Sequence, residues 1–398
     1  RGYGLPQTNF AVESAMDELA GKLGMDPIEF RERNIVRPGD PMVSTGTDDG
    51  HDVEYGSYGL DQCLALVNDA LGRGGGLPPP PSADWLVGQG VALGMIDTIP
   101  PGGHFADVRA ALSDDGAYEL IVGTAEFGNG TSTVHRQIAA TVLGAAVEAV
   151  QVLQSDTDHG GHDTGAYGST GTIVAGRATQ LACEALRGKI LDFAAEYAGG
   201  ERPAWSLIEG AVTRPGRLLP LTELAAAARA QGRRLVADGT ATGTPRSVAF
   251  NVQAFRVAVN KNTGAIKVLR SVHAADAGRV INPMQCRGQV EGGVAQSLGA
   301  TLYEEMVIDD AGRVINPTFR NYHLPQFGDV PRTEVLFAET SDSTGPFGAK
   351  SMSESPYNPI AAAMGNALAD ATGIRFCHTP FKPDRIFRAL ADKFGTAD

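Results

Sequence analysis

The sequence predicts an α+β fold divided into at least two subdomains. At 398 residues the chain exceeds the ~250–300 at which a single hydrophobic core stops growing. Strand-like alternation and helical periodicity both occur along it, in separate stretches. No segment repeats at a fixed period, which argues against a solenoid.

In chain order, residues 9–23 read as an amphipathic helix with Phe10, Ala11, Ala15, Met16, Leu19 and Leu23 on one face. Asp26-Pro27-Ile28-Glu29 starts a second helix, with Asp as N-cap, Pro at the first helical position and Glu three residues after the cap. Residues 72–84, Gly-rich and containing Pro78 to Pro81, form a linker. Alternation over 104–123, broken by Ser113-Asp114-Asp115-Gly116, predicts two strands and a turn. Thr131 caps a helix running to Leu143, and Val147–Leu153 reads as a strand. Ile173–Tyr197 is the longest helical pattern, and 200–245 reads as a variable insert. Asn251–Val259 and Ala265–Val272, joined by Asn260-Lys261-Asn262-Thr263-Gly264, make a β-hairpin. Helices over Met284–Thr301 and Asn358–Ala371 complete the pattern. The expected division is a helical first part (1–90), a subdomain over 91–245 with its insert at 200–245, and a second over 246–398.

The net charge of −13 argues against nucleic-acid or anionic-membrane partners, both of which need a basic face. No apolar run approaches the ~20 residues of a membrane helix. Cys63, Cys183, Cys286 and Cys377 are far apart and form no Cys-x-x-Cys pair, so an iron–sulfur or zinc site within the chain is not expected. Scattered thiols suit a cytoplasmic protein. No signal peptide is evident at the start of the sequence. Fifty glycines fit loops that press backbone against a large organic group.

The most informative segment runs from Gly345 to Ala361 and places Glu354 between a small-residue loop and a helix start. Enclosed by Phe347, Met352 and Tyr357, such a carboxylate can sit away from water and act as a general base. Taken alone, the same segment is also a helix-capping loop with a solvated Glu. Phe127-Gly128-Asn129-Gly130 offers backbone amides and one side-chain amide to a ligand, or is simply a strand-to-helix turn. Asp158-His159-Gly160-Gly161-His162-Asp163 has metal-ligating residue types but reads as a solvated polar turn.

Five blocks carry a resemblance in a fixed order. Gly348-Ala349-Lys350-Ser351-Met352-Ser353-Glu354 resembles the Gly-Ala-Lys-Gly-x-Gly-Glu loop of the molybdenum hydroxylases, the xanthine dehydrogenase and aldehyde oxidase family. Arg1-Gly2-Tyr3-Gly4-Leu5-Pro6-Gln7 resembles that family's Arg-Gly-Phe/Tyr-Gly-x-Pro-Gln turn, followed by the Glu13/Met16-Asp17-Glu18-Leu19-Ala20 helix and Gly24-Met25-Asp26-Pro27. Gly123 to Thr131 is similar to its Glu-x-Gly-Gln-Gly-Thr cofactor loop, and Gly165 to Thr172 to its small-residue loop beside the metal. Gly288-Gln289-Val290-Glu291-Gly292-Gly293 resembles its Gly-Gln-x-Glu-Gly segment. The match covers Arg1 to about Leu390.

The resemblance implies a molybdenum-cofactor-binding domain of two mixed-sheet subdomains with packed helices. It implies that Glu354 is the base beside a molybdenum held by a pterin dithiolene, with no protein side chain on the metal. Arg1, Phe127, Gly128, Asn129, Gly130, Gly168, Ser169, Gln289, Lys350 and Ser353 are the implied cofactor contacts; Tyr3 and Thr98 the implied substrate contacts. The implied reaction is hydroxylation of an aldehyde or an aromatic N-heterocycle such as a purine, with water as oxygen source. The implied cofactor is a molybdopterin, in the cytosine dinucleotide form for a bacterial source, and the resemblance places iron–sulfur and FAD groups on partner chains. The chain resembles a C-terminal portion of the catalytic subunit, with an N-terminal half as a further partner, and is expected to be inactive alone. A non-catalytic structural or assembly fragment is the alternative. Three departures stand out. Ser351 and Ser353 occupy the family's glycine positions, where their hydroxyls can bond the metal's ligands or narrow access, and Asn129 replaces a Gln.

Overall fold

Two four-stranded mixed sheets organise the chain. The computed structural model describes residues 1–2, 4–40, 53–97, 99 and 103–394. One sheet has the strand order β1 (Trp85–Asp97), β9 (Val248–Asn260), β10 (Ile266–Ala275) and β11 (Thr333–Phe337). The other has the order β4 (Val150–Gln154), β3 (Tyr118–Val122), β2 (Phe105–Leu112) and β8 (Val236–Thr242). In each, one edge pair is parallel and the other pairs are antiparallel. The β9–β10 hairpin forms as its sequence predicts, with Val259 opposite Ile266 and a register shift between Val268 and Arg270. The β2–β3 turn likewise falls at Ser113–Gly116.

Helices cover the first sheet on both faces. On one side lie α3 (Leu60–Gly72) and α2 (Pro27–Asn34), whose Asp26 cap accepts from the amides of Ile28 and Glu29 as expected. The other side carries α7 (Pro283–Leu302), α8 (Ile360–Thr372) and α9 (Pro383–Phe394), with Phe10 of α1 (Leu5–Leu23) packed against them. Strand β9 is therefore buried along almost all its length. The second sheet packs on α4 (Thr131–Leu143) and α5 (Gly176–Ala198). Strand β1 spans position 91 and pairs with β9, so the chain passes from one sheet to the other shortly after it.

The region 200–245 is not a single insert. Residues 206–220 form a small sheet, β5 (Ser206–Ile208), β6 (Ala211–Arg214) and β7 (Arg217–Pro220), followed by α6 (Leu221–Ala230). Strand β8 is an integral edge of the second sheet. Its inward residues are Ala237, Gly239 and Ala241, too small to give a strand signal in the sequence.

The two sheets seat their central helices by the same device. A Cβ at Gly88 or Gly90 of β1 would overlap the backbone of α8 at Ala371 or Ala367, and one at Gly239 of β8 would overlap α5 at Ala182. Backbone against backbone leaves no side chain free to yield. Gly90→Ala is therefore expected to destabilise by about 1–3 kcal/mol. Urea unfolding checks this: a midpoint equal to that of the parent chain would show that helix and sheet can separate cheaply. Among the described residues, no helix is long and apolar enough to cross a membrane.

Candidate active site

A cavity of about 410 Å³ lies where loops from the two sheets meet. Four segments wall it: the turn before α4, the loop before α5, the strand-to-helix passage from β10 into α7, and the Glu354 loop. Arg1 closes one side.

The turn before α4 is held by a carboxylate. Glu126 accepts from the amides of Gly128 (2.7 Å), Gly130 (3.1 Å) and Ser132 (3.0 Å). It thus performs the capping that the sequence suggested for Thr131, which is instead the first helical residue. Partial burial raises the Glu126 pKa, but these amides and the Thr131 hydroxyl outweigh it and hold the group below its ordinary value. Gly128 (φ 92°) and Gly130 (φ 82°) take left-handed backbone that only glycine adopts without strain. A Cβ on Gly130 would come within 2.8 Å of Gln285 Oε1. Asn129 turns its carbonyl oxygen back to the Thr131 amide (3.3 Å) and hydroxyl (3.1 Å). Phe127 projects from the wall and is 69% exposed.

In the loop before α5, Gly168 and Ser169 are both left-handed, with φ of 67° and 61°. The Thr170 hydroxyl donates to the carbonyls of Gly165 (2.8 Å) and Tyr167 (2.9 Å), fixing that turn. Behind Tyr167, the buried His104 ring lies 4.5 Å away, centroid to centroid.

Helix α7 begins at Asn282, whose side chain accepts from the Gln285 amide at 3.0 Å. Gln285 and Gln289, four residues apart, share one helical face and both line the cavity, as does Cys286. The Gln289 carbonyl and Oε1 each lie 3.4 Å from Arg1 guanidinium nitrogens. Burial pulls the Arg1 pKa down while the charge of Glu354 pulls it up, and burial is the larger effect. Burial pushes the Cys286 thiol up to about 12, so it remains protonated.

The Glu354 loop is tied at both ends. At its base, the Lys350 amide donates to the Ala277 carbonyl (2.9 Å) and Arg279 donates to that of Gly348 (2.7 Å). At its tip, the Glu354 amide donates to Ser169 Oγ at 3.1 Å. Ser353 Oγ lies 2.8 Å from Ser169 Oγ, and the Ser169 hydroxyl faces Glu354 Oε2 at 3.4 Å. Glu354 itself is half-buried on the cavity wall.

The cavity gathers Arg1, Phe127, Gly128, Asn129, Gly168, Ser169, Gln289, Ser353 and Glu354, and Gly130 flanks it through Gln285. Lys350 reaches the wall, but its ammonium points the other way, into a fully buried contact with Asp276 Oδ2 at 2.7 Å. Its charge is satisfied behind the loop, so the ammonium does not face the cavity that the rest of the residue lines. Only Met352 of the expected apolar enclosure faces the cavity. Tyr357 is turned toward Ser297 of α7, and burial raises its pKa. The groups recorded beside the Glu354 carboxylate are the Ser169 hydroxyl and the Arg1 charge. Tyr3 and Thr98 lie outside the described residues.

The polar turn expected over Asp158–Asp163 is a turn only at residues 157–159. Its end is half-buried rather than solvated: Asp163 bridges Ala106 of β2, its carboxylate accepts from the Gly165 amide at 2.7 Å, and burial raises its pKa. Among the described residues, no three His, Cys, Asp or Glu side chains gather as a metal site. Sequence reading missed Gln285, whose position four residues before Gln289 is the signal that could have found it. Arg279 and Tyr167 carried no such signal.

The donor set suits a pterin, which presents amide-type donors and acceptors along its edges. The cavity offers side-chain amides from Asn129, Gln285 and Gln289, and Gln285 Oε1 is buried without a hydrogen-bond donor. An acceptor of that kind matches a ligand N–H.

A molybdopterin cofactor-binding domain model matches residues 80–331, and a second model of the same description matches residues 1–35. The chain is 32% identical over 403 residues to a probable hypoxanthine oxidase of Escherichia coli K12, covering 98% of this chain and 42% of the relative. It is 33% identical to a putative xanthine dehydrogenase molybdenum-binding subunit of the same organism, covering 97% and 52%. The crystal structure of quinoline 2-oxidoreductase from Pseudomonas putida 86 superposes with a TM-score of 0.83 at 27% identity, over 98% of this chain and 53% of that one. The chain thus spans about half the length of the relatives it matches. Through a family model that covers more than half its residues, the chain belongs to the molybdopterin cofactor-binding domain family and is a molybdenum hydroxylase family member.

Proposed function

We propose that this chain is the base-bearing portion of the catalytic subunit of a molybdenum hydroxylase, acting on an aromatic N-heterocycle of purine type or on an aldehyde. The observation that carries this reading is the position of Glu354, on the wall of a cavity shared with three side-chain amides and the positive-φ glycines. The names of the similar proteins, which refer to hypoxanthine, xanthine and quinoline, favour a flat N-heterocycle.

In this reading, Gln285, Gln289, Asn129 and the amides of the Gly128–Gly130 turn hold the pterin. Gly168 lets its loop approach closely. The bound cofactor supplies the two-electron acceptor and the point at which oxygen from water is delivered. Glu354 takes the proton released as the oxygen nucleophile forms. The Arg1 guanidinium supplies positive charge beside that carboxylate. Electrons leave through iron–sulfur and FAD groups on partner chains, and an N-terminal half completes the pocket. The cytosine dinucleotide form of the cofactor belongs to the same proposal.

The test is to purify the assembled enzyme with its partner chains and follow dye reduction with hypoxanthine, quinoline and benzaldehyde in ¹⁸O-labelled water. Label in the product and stoichiometric molybdenum are expected, with a heterocycle turned over fastest. An assembled, molybdenum-replete enzyme that oxidises none of them would overturn the reading. The isolated chain should hold little molybdenum and reduce no dye, since a cofactor contacted on one side is poorly positioned.

A further inference from the structure

We propose that Ser169 is a positioning residue that sets the direction of the Glu354 carboxylate, and that Ser353 acts through it. This rests on the proposed role of Glu354 as the base.

A serine hydroxyl has one proton and two lone pairs. Three groups surround Ser169 Oγ: the Glu354 amide at 3.1 Å, Ser353 Oγ at 2.8 Å and Glu354 Oε2 at 3.4 Å. The amide can only donate, so it takes one lone pair. An ionised carboxylate can only accept, so it takes the proton. Ser353 must then donate into the second lone pair, and every group is satisfied. One hydroxyl thereby grips both the backbone N–H and the side chain of the same residue, which fixes the carboxylate relative to its own main chain. Accepting from Ser353 polarises the Ser169 O–H and makes it a better donor.

Two further observations support a positioning role. Ser169 is buried and left-handed at φ 61°, an unfavourable conformation for any residue with a Cβ. The hydroxyl is therefore kept where glycine would fit the backbone better. Ser353, at one of the two family glycine positions that carry a hydroxyl here, is turned to Ser169, 184 residues away in the chain. No described carboxylate other than Glu354 bonds to this pair.

The test variant is Ser169→Gly, which removes the hydroxyl together with the Cβ and so relieves the left-handed backbone. A merely structural serine predicts a lower melting temperature. A positioning serine predicts an equal or higher one, with kcat down by at least about 10-fold because a misplaced base is costly. KM and molybdenum content should be nearly unchanged. Hydrogen exchange at the Glu354 amide should accelerate, a readout that needs no loaded cofactor. Ser353→Gly should give a smaller loss of kcat, Ser353→Thr should recover most of it, and the double glycine variant should be no slower than Ser169→Gly alone.

Parent-like kcat and exchange in Ser169→Gly would overturn the proposal. Loss of molybdenum in parallel with activity would also overturn it, by assigning the hydroxyl to the cofactor. Additive losses in the double variant would remove Ser353 from the relay. If the parent enzyme shows no molybdenum-dependent turnover, it is the reading of Glu354 as base that fails, and the exchange measurement still decides whether Ser169 holds this loop.

Discussion

Glu354→Gln in the assembled enzyme is expected to keep its molybdenum and lose at least ~10² in turnover, the scale of a lost general base. The substitution is nearly isosteric. Gln retains an acceptor for the Ser169 hydroxyl and the amide that donates to Ser169 Oγ, so the loop keeps both ties. What disappears is the capacity to take a proton, along with the negative charge that faces Arg1. Metal analysis and steady-state kinetics on the same preparation separate these effects. A molybdenum-replete variant with near-parent turnover would remove Glu354 as the base. Loss of the metal would assign it to cofactor binding instead.

How much of this was legible in the sequence depended on whether a residue's neighbours are near or far along the chain. The Asp26 cap, the β9–β10 hairpin and helices α1, α4, α7 and α8 are written in local spacing, and their bounds come out within a few residues. The glycine turns at 128–130 and 165–168 were visible because positive φ demands glycine locally. Strands β1 and β8 were hidden because helix backbone rests on them, and the small residues that allow this erase the strand pattern. Helix α9 has its start signal in Pro383-Asp384, and α3 lies between segments without punctuation of its own.

In the site, residue types were readable and directions were not. Lys350 and Tyr357 both sit in the expected loop, yet the Lys350 ammonium and the Tyr357 hydroxyl are turned to partners behind it. Those partners, Asp276 and Val248 for the lysine and Ser297 for the tyrosine, lie far from the loop in sequence. A loop motif marks where chemistry happens. Which of its side chains face that chemistry is settled by the packing behind it.

Lys350→Met is expected to destabilise the fold by about 3–5 kcal/mol, the cost of leaving a buried charge without its partner. The Lys350 side chain is 0% exposed, and its three donors are all used, on Asp276 Oδ2 (2.7 Å), the Val248 carbonyl (2.8 Å) and the Ser57 carbonyl (3.0 Å). A second buried carboxylate, Asp342, lies 3.9 Å away and is held separately by Ser247 and Thr344. Removing the ammonium strands Asp276 between a hydroxyl and an amide, from Thr340 and Gly278. Lys350→Met/Asp276→Asn removes the stranded charge along with the cation, so it should recover most of the lost stability in urea unfolding. Because the pair braces the loop from behind, the folded double variant should still bind molybdenum in the assembled enzyme. A lysine that reached the cofactor would behave in the opposite way: the single variant would stay stable and lose the metal, and the second substitution would restore nothing.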